Sequence, residues 1–155
     1  MSITPDEVAR EVLDVAPAIV RAIRTEMRQH RGADLSVPQF RTLAFLQRQP
    51  GASLSDVAEH LGLTLPTMSK MVDSLVARKF VTRETHSTDR RCIRLAVTGR
   101  GQASWLAARQ STQAQLARQL ADLSDAQRST VAQAMEILRP VFYSRSDRLS
   151  TARAA

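Results

Sequence analysis

A short polar set begins a helix-like segment near the middle of the chain: Thr64, Thr67, Ser69 and Lys70. Their hydroxyl groups can hydrogen-bond to phosphate oxygens or base edges, and a lysine ammonium group can donate to guanine. Further along, the run Thr88-Asp89-Arg90-Arg91 brings two guanidinium groups side by side. Both sets have the chemistry for contacts with a nucleic acid. A solvated helix face would show the same pattern as the first set, so the helix alone does not decide the function.

The residues around the polar set predict a helix-turn-helix. A short helix is expected to begin with Ser55 as its N-cap and to end at Gly62, since glycine best tolerates the left-handed end of a helix. A second helix begins at Thr64, and the helical period puts its apolar residues on one inner face: Met68, Met71, Val72 and Leu75. The outer face and flanks of this second helix then carry Thr67, Ser69, Lys70, Asp73 and Ser74.

A two-stranded hairpin follows the second helix. Residues 81–84 predict the first strand, and residues 92–97 predict the return strand. Apolar residues alternate along the return strand, so its buried face is expected to consist of Ile93, Leu95 and Val97.

The segment between the strands is short, polar and basic. The guanidinium groups of Arg90 and Arg91 suit a narrow minor groove because they are cationic, weakly hydrated and rich in donors. Asp89 beside them fits an acid that accepts hydrogen bonds from an arginine and orients it, or else a surface ion pair of little energetic value. Two helices, a hairpin and a basic tip in this order predict a winged helix-turn-helix, which reads the major groove with a helix and the minor groove with the tip.

The positive charge of the chain is concentrated around these elements. The 155 residues carry a net charge of +7, and an apolar share of 43% is ordinary for a globular protein with a core. Residues 70–100 hold eight lysines and arginines against three acidic residues, which is an excess of five positive charges. A concentrated basic patch is typical of a protein that binds nucleic acid.

Several other classes of protein are disfavoured. No apolar run approaches the roughly 18 to 20 residues that span a bilayer, and residues 1–7 do not resemble a signal peptide, so we expect a cytoplasmic protein without membrane association. The single cysteine and three scattered histidines predict no disulfide, metal or cofactor. Without a glycine-rich phosphate loop or clustered carboxylates, an enzyme is not expected.

The two ends of the chain carry long apolar stripes at helical spacing. Capping-box patterns at residues 4–7, 36–39 and 124–127 predict three helix starts. The stripe of the first helix comprises Val8, Val12, Val15, Ile19, Ile23 and Met27, and that of the last helix comprises Val131, Ala134, Ile137, Leu138, Val141 and Phe142. These stripes exceed what a small domain can bury within itself, so pairing with a second copy is the simplest explanation. We therefore predict a dimerisation helix in 1–34, a DNA-binding lobe in 35–100 and C-terminal dimerisation helices in 101–155.

Nearly the whole chain resembles the MarR family of transcriptional regulators. The resemblance is carried by Phe40, residues 51–61, the run Leu63-Thr64-Leu65-Pro66-Thr67-Met68-Ser69-Lys70-Met71-Val72, Leu75, Thr88-Asp89-Arg90-Arg91 and residues 95–101. The joint occurrence of the helix-turn-helix and the basic hairpin tip is its most specific part. Lys79 departs from the family pattern, in which glycine is usual at this position. The resemblance therefore does not define the conformation of the turn before the hairpin.

The resemblance implies a mainly helical homodimer with a small β wing that binds palindromic operators, most simply as a repressor. In such proteins the fourth helix reads the major groove, which implies DNA contacts for Thr67, Ser69 and Lys70, with Thr64 and Ser74 beside them. The wing enters the minor groove, which implies contacts for Arg90 and Arg91, with Asp89 as the orienting acid.

Regulation is less defined by the sequence. The resemblance implies a small aromatic or anionic effector between the dimerisation helices and the DNA-binding lobe, which releases the DNA. A redox switch at Cys92 is an alternative, because Arg90, Arg91 and Arg94 would lower its pKa and favour the thiolate. With no second cysteine, a plain strand residue is the preferred reading of Cys92. A further alternative is an architectural protein that coats DNA without choosing a sequence. RNA is disfavoured because the basic segment lacks aromatic residues for stacking on bases.

Overall fold

The computed structural model describes residues 2–29, 35–85 and 93–151, with side chains as far as residue 142. Its elements follow one another as α1 (Pro5–Gln29), α2 (Val37–Arg48), α3 (Leu54–Leu61), α4 (Leu65–Ala77), β1 (Val81–Thr85), β2 (Ile93–Val97), α5 (Gly99–Gln119) and α6 (Asp125–Thr151). The fold is therefore mainly α with a two-stranded wing and long terminal helices, as the sequence predicted.

Reciprocal capping boxes begin three of the helices as predicted. The backbone N–H of Thr4 donates to Glu7 Oε2 at 2.7 Å, that of Ser36 to Gln39 Oε1 at 3.0 Å, and that of Ser124 to Gln127 Oε1 at 2.9 Å. The hydrogen bonds from the backbone and the hydroxyl of Thr4 also hold the pKa of the exposed Glu7 carboxyl below its usual value.

Helix α3 begins two residues earlier than predicted. Its N-cap is Ser53 rather than Ser55, so that prediction was wrong. The backbone N–H of Ser53 donates to Asp56 Oδ2 at 2.8 Å, and the N–H of Asp56 donates to Ser53 Oγ at 3.2 Å. A capping box needs a side chain that can accept a hydrogen bond three residues after the cap. Asp56 provides one for Ser53, whereas Ser55 is followed at that distance by Ala58.

The core lies between α2, α3, α4 and the base of the wing. Its fully or nearly fully buried residues include Leu43, Phe45, Leu46, Val57, Ala58, Met68, Val72, Leu75, Val81 and Leu95. Helices α1 and α5 add Met27 and Ala108. Of the four apolar residues predicted on the inner face of α4, three are buried and Met71 is partly buried against the same core.

The hairpin is antiparallel, with Val81 opposite Val97 and Thr85 opposite Ile93. Leu95 is buried and Val97 is partly buried, as predicted, but Ile93 is 44% exposed, so its predicted burial was wrong. Alternation identifies the face of a strand but not how far the covering helices extend along it. Ile93 pairs with the last residue of β1, at the end of the hairpin that leads into the tip.

The terminal helices α1 and α6 expose large apolar side chains to solvent. The large exposed residues of α1 are Val8, Leu13, Val15, Ile19 and Val20, and those of α6 as far as residue 142 are Val131, Met135, Ile137, Val141 and Phe142. None of the described side chains of α6 is fully buried. Within the described ranges, no helix is both long enough and apolar enough to cross a membrane.

Candidate nucleic-acid interface

The first turn of α4 is held by two threonines. Thr64 is the N-cap, and its hydroxyl oxygen accepts from the N–H of Thr67 at 3.4 Å. The hydroxyl of Thr64 also donates to Thr67 Oγ1 at 2.9 Å. Because each hydroxyl can donate or accept, this contact uses one of the two hydroxyl protons. The other remains available for an acceptor outside the protein.

After Thr67, the outward side of α4 continues with a serine, Ser69, and a cation, Lys70. Met68, Val72 and Leu75 are fully buried, and they fix which side of the helix faces solvent. Ser69 is partly exposed and Lys70 is exposed. Lys70 makes no ion pair with any residue that the structure describes. Its charge is therefore free to meet a phosphate or a base edge.

The second half of α4 is tied to neighbouring elements. Ser74 Oγ accepts from Gln39 Nε2 of α2 at 3.4 Å, so the side chain of this predicted DNA-binding residue faces α2. Asp73 Oδ1 accepts from Arg83 Nη2 of β1 at 2.5 Å. Arg83 was not among the site residues predicted from the sequence. The excess of basic residues in this region is the only signal that pointed toward it.

Lys79, which stands where the family usually has glycine, lies in the turn before the wing. This residue has a φ of 61°, in the left-handed region that favours glycine. Its carbonyl oxygen accepts from Thr98 Oγ1 at 2.6 Å, and the carbonyl oxygen of Phe80 accepts from the N–H of Thr98 at 3.0 Å. The turn therefore keeps a glycine-type conformation although a lysine occupies it.

The link between α2 and α3 pairs with the return strand. The N–H of Gly51 donates to the carbonyl oxygen of Leu95 at 3.1 Å, and the N–H of Leu95 donates to that of Ala52 at 3.0 Å. These bonds anchor the base of the wing beside the helix-turn-helix. The predicted contacts at the tip, Asp89, Arg90 and Arg91, and the alternative switch at Cys92 lie outside the described residues.

A separate cavity of about 750 Å³ lies between α1, α2 and α5. Phe40 of α2 and Trp105 of α5 stack in it with ring centroids 5.5 Å apart, and the Arg109 guanidinium lies 5.2 Å from the Trp105 ring centre. Arg48 lines the same cavity. The indole N–H of Trp105 is buried and has no hydrogen-bond partner among the described residues. The family resemblance implied an effector pocket in this region but did not indicate which residues line it.

The helix-turn-helix, the antiparallel hairpin and the anchoring of one on the other define a winged helix-turn-helix protein. A sequence model of the MarR family matches residues 33–91, which include α2, α3, α4 and β1. An uncharacterized HTH-type transcriptional regulator of Mycobacterium bovis, Mb0904, is 26% identical over 133 residues, which is 86% of this chain and 93% of that protein.

Solved structures share the fold across most of the chain. Wild-type MarR from E. coli, in its apo form, superposes with a TM-score of 0.76 at 19% identity, covering 90% of this chain and 100% of MarR. Streptococcus pneumoniae FabT, solved in complex with DNA, superposes with a TM-score of 0.65 at 16% identity, covering 91% of this chain and 99% of FabT. Residues 33–91 thus match the MarR family, and over most of its length the chain is similar to an HTH-type transcriptional regulator and shares the fold of MarR and FabT.

Proposed function

We propose that this protein is a transcriptional regulator of the MarR family, a sequence-specific repressor that binds palindromic operators as a homodimer and is released by a small effector. The observation that carries the proposal is the first half of α4, where the contact between Thr64 and Thr67 leaves one hydroxyl proton free and Lys70 forms no ion pair with any described residue. Met68, Val72 and Leu75 on the opposite side of the helix are fully buried, so this side of α4 is fixed toward solvent. The DNA complex of FabT, which has the same fold, gives further support.

The proposed contacts differ in what they recognise. Thr67, Ser69 and Lys70 would meet base edges and phosphates of the major groove, with Thr64 positioning Thr67. Ser74, in the second half of the same helix, would also contact the DNA. At the wing, Arg90 and Arg91 would enter the minor groove, and Asp89 would orient one of them.

A second copy of the chain would supply the twofold symmetry. The large apolar side chains exposed on α1 and α6 are the support for this, because such surface is costly in water and a closed dimer would bury it. Residues 1–34 and 101–155 would then form the dimerisation body around the lobes of residues 35–100. Two reading helices about 34 Å apart would match half-sites separated by one turn of DNA.

Selection of bound duplexes from a random library, with the mass of the protein in solution, tests this proposal. We expect a dimer and enrichment of an inverted repeat. Lys70→Ala and Ser69→Ala should change sequence preference, whereas the matched control Ser55→Ala, an exposed serine on α3, should not. Arg91→Ala should weaken binding to every duplex and reduce its salt dependence. Equal losses on all sequences for all these α4 and wing variants would support DNA coating instead, and a stable monomer would refute the dimer.

The cavity between α1, α2 and α5 is the proposed effector site. Its volume lies within the usual range for small-molecule sites, about 300 to 1,000 Å³. The stacked rings of Phe40 and Trp105 suit a planar apolar group, while Arg48 and Arg109 suit an anionic one. An aromatic carboxylate fits both features. It would release DNA only if it bound the two arrangements of the lobes with different affinities.

The only tryptophan of the chain makes this proposal directly measurable. Benzoate or 1-naphthoate should change the fluorescence of Trp105 and weaken operator binding, whereas benzylamine, a cation of similar size, should do neither. Arg109→Ala should reduce the response to the carboxylates and leave operator binding in their absence unchanged. If peroxide releases DNA from the wild type but not from Cys92→Ser, and the carboxylates have no effect, regulation belongs to the thiol.

A further inference from the structure

Leu65, the first residue of α4, is half exposed, with 50% of its surface accessible. Among the described residues 35–85, it is the only exposed large apolar residue. The other described ones lie in the N-terminal segment, in α1, α5 and α6, at the C-cap Leu120 of α5, or at Ile93. The proposed dimer accounts for those of α1 and α6, but it does not account for a leucine at the tip of the reading helix.

Local structure gives Leu65 no reason to be apolar. The first turn of the helix is stabilised by the Thr64 cap and by Pro66, which is well suited to this part of a helix because its missing N–H would be unpaired anyway. Neither feature needs an aliphatic side chain in the position between them. A leucine that keeps half of its surface in water gains only part of the free energy that full burial would provide.

The tip of α4 is rigid as well as apolar. Thr64 is bonded to both the backbone and the hydroxyl of Thr67, and Pro66 has a fixed φ. A side chain on such a turn loses little further freedom when it meets a surface, so a small contact contributes more to binding.

We propose that Leu65 reads thymine in the major groove by packing against its C5 methyl group. The methyl group is the one apolar feature among the base edges there, and it distinguishes thymine from the other three bases. The hydroxyl proton that the contact between Thr64 and Thr67 leaves free would be donated to an acceptor nearby, either thymine O4 or adenine N7. The tip would therefore combine one apolar and one polar contact, and it would select a T·A pair. This inference rests on the proposed DNA-binding function.

Uracil substitution in the selected operator tests the contact. Replacing one thymine at a time by deoxyuridine, in both half-sites, removes a methyl group and keeps base pairing. For the wild type we expect uracil to matter at one symmetric pair of thymines. At each of these two positions the substitution should lower the affinity about fourfold, which is the effect of losing one buried methyl-sized group. Leu65→Ala should bind thymine and uracil duplexes equally at that position. Leu65→Met should keep the preference, because it retains an apolar side chain of similar size.

Leu106→Ala is the matched control, because Leu106 is exposed to a similar extent (46%) but lies in α5. It should keep the thymine-to-uracil ratio of the wild type, whatever its overall affinity. If the wild type binds its operator tightly and no uracil substitution matters, or if Leu65→Ala remains as sensitive as the wild type, the inference is overturned while the proposed function stands. If no duplex is enriched at all, the proposed function itself fails. Circular dichroism of Leu65→Ala confirms that the comparison is made between folded proteins.

Discussion

Asp73 of α4 and Arg83 of β1 form an ion pair in which Oδ1 and Nη2 are 2.5 Å apart. Both side chains remain partly exposed, with 56% and 36% of their surfaces accessible. The pair connects the helix to the base of the wing across their shared surface. It also neutralises an acidic group that would otherwise stand alone on the side of α4 proposed to face phosphates.

Changing either member of this pair should affect DNA binding in opposite directions. Asp73→Asn frees a cation, so affinity for duplexes of any sequence should rise and the salt slope should steepen by up to about one unit. Arg83→Gln leaves an unpaired carboxylate and should weaken binding to all of them. Titrations of labelled duplex at several salt concentrations measure both effects.

The double variant Asp73→Asn with Arg83→Gln should bind about as well as the wild type, since the net charge is restored. The free energy of unfolding should change by less than about 1 kcal/mol in each variant, because exposed ion pairs contribute little. Weaker binding by Asp73→Asn would show that the pair acts instead by orienting the wing.

Gly101 and Gly99 form a matched pair in the first turn of α5. A Cβ atom on Gly101 would overlap the backbone of Phe80, whereas one on Gly99 would meet nothing within 4 Å. Gly101→Ala should therefore lower the free energy of unfolding by about 1–3 kcal/mol. Gly99→Ala should leave it unchanged or raise it slightly, because alanine favours helix. Urea denaturation measures both, and equal effects would contradict the close approach of α5 to the turn before the wing.

Ser53 and Ser55 distinguish the observed start of α3 from the predicted one. Ser53→Ala removes the cap and should cost about 0.5–2 kcal/mol of stability. Ser55→Ala changes an exposed residue and should stay within about 0.5 kcal/mol of the wild type. A larger loss for Ser55→Ala in thermal unfolding would restore the original assignment.

The protein should be more stable with glycine in place of Lys79. Its φ of 61° is costly for a residue with a Cβ atom, so Lys79→Gly should raise the free energy of unfolding by about 0.5–1 kcal/mol after the entropy of glycine in the unfolded chain is deducted. Lys79→Ala serves as the control, because it removes the charge but keeps the Cβ atom and the strain. If both variants are equally stabilised in chemical denaturation, the effect comes from charge rather than from the backbone.

Local patterns explain which predictions from the sequence were confirmed. The capping boxes at Thr4, Ser36 and Ser124, and the left-handed end at Gly62, each depend on residues within one helical turn. The error at Ser55 arose because the acid at Asp56 was not matched with the serine three residues before it. The error at Ile93 arose because alternation cannot show where the cover of a strand ends.

Contacts between distant residues could not be predicted in this way. The pair of Asp73 and Arg83, the hydrogen bond between Gln39 and Ser74, and the stacking of Phe40 on Trp105 all join different elements. Their formation depends on the angles at which helices and strands pack, and sequence spacing does not contain those angles. The DNA-binding residues on α4 and at the wing tip and the division into lobes stay predictions.

The amino-acid sequence alone determined the succession of elements, the polar face of the fourth helix and the family resemblance, because each follows from neighbours along the chain. Only the tertiary structure decided that Leu65 stays exposed at the tip, and that two arginines and two aromatic rings line one cavity. These features depend on three-dimensional distances between side chains and on solvent exposure, which arise only when the helices pack together.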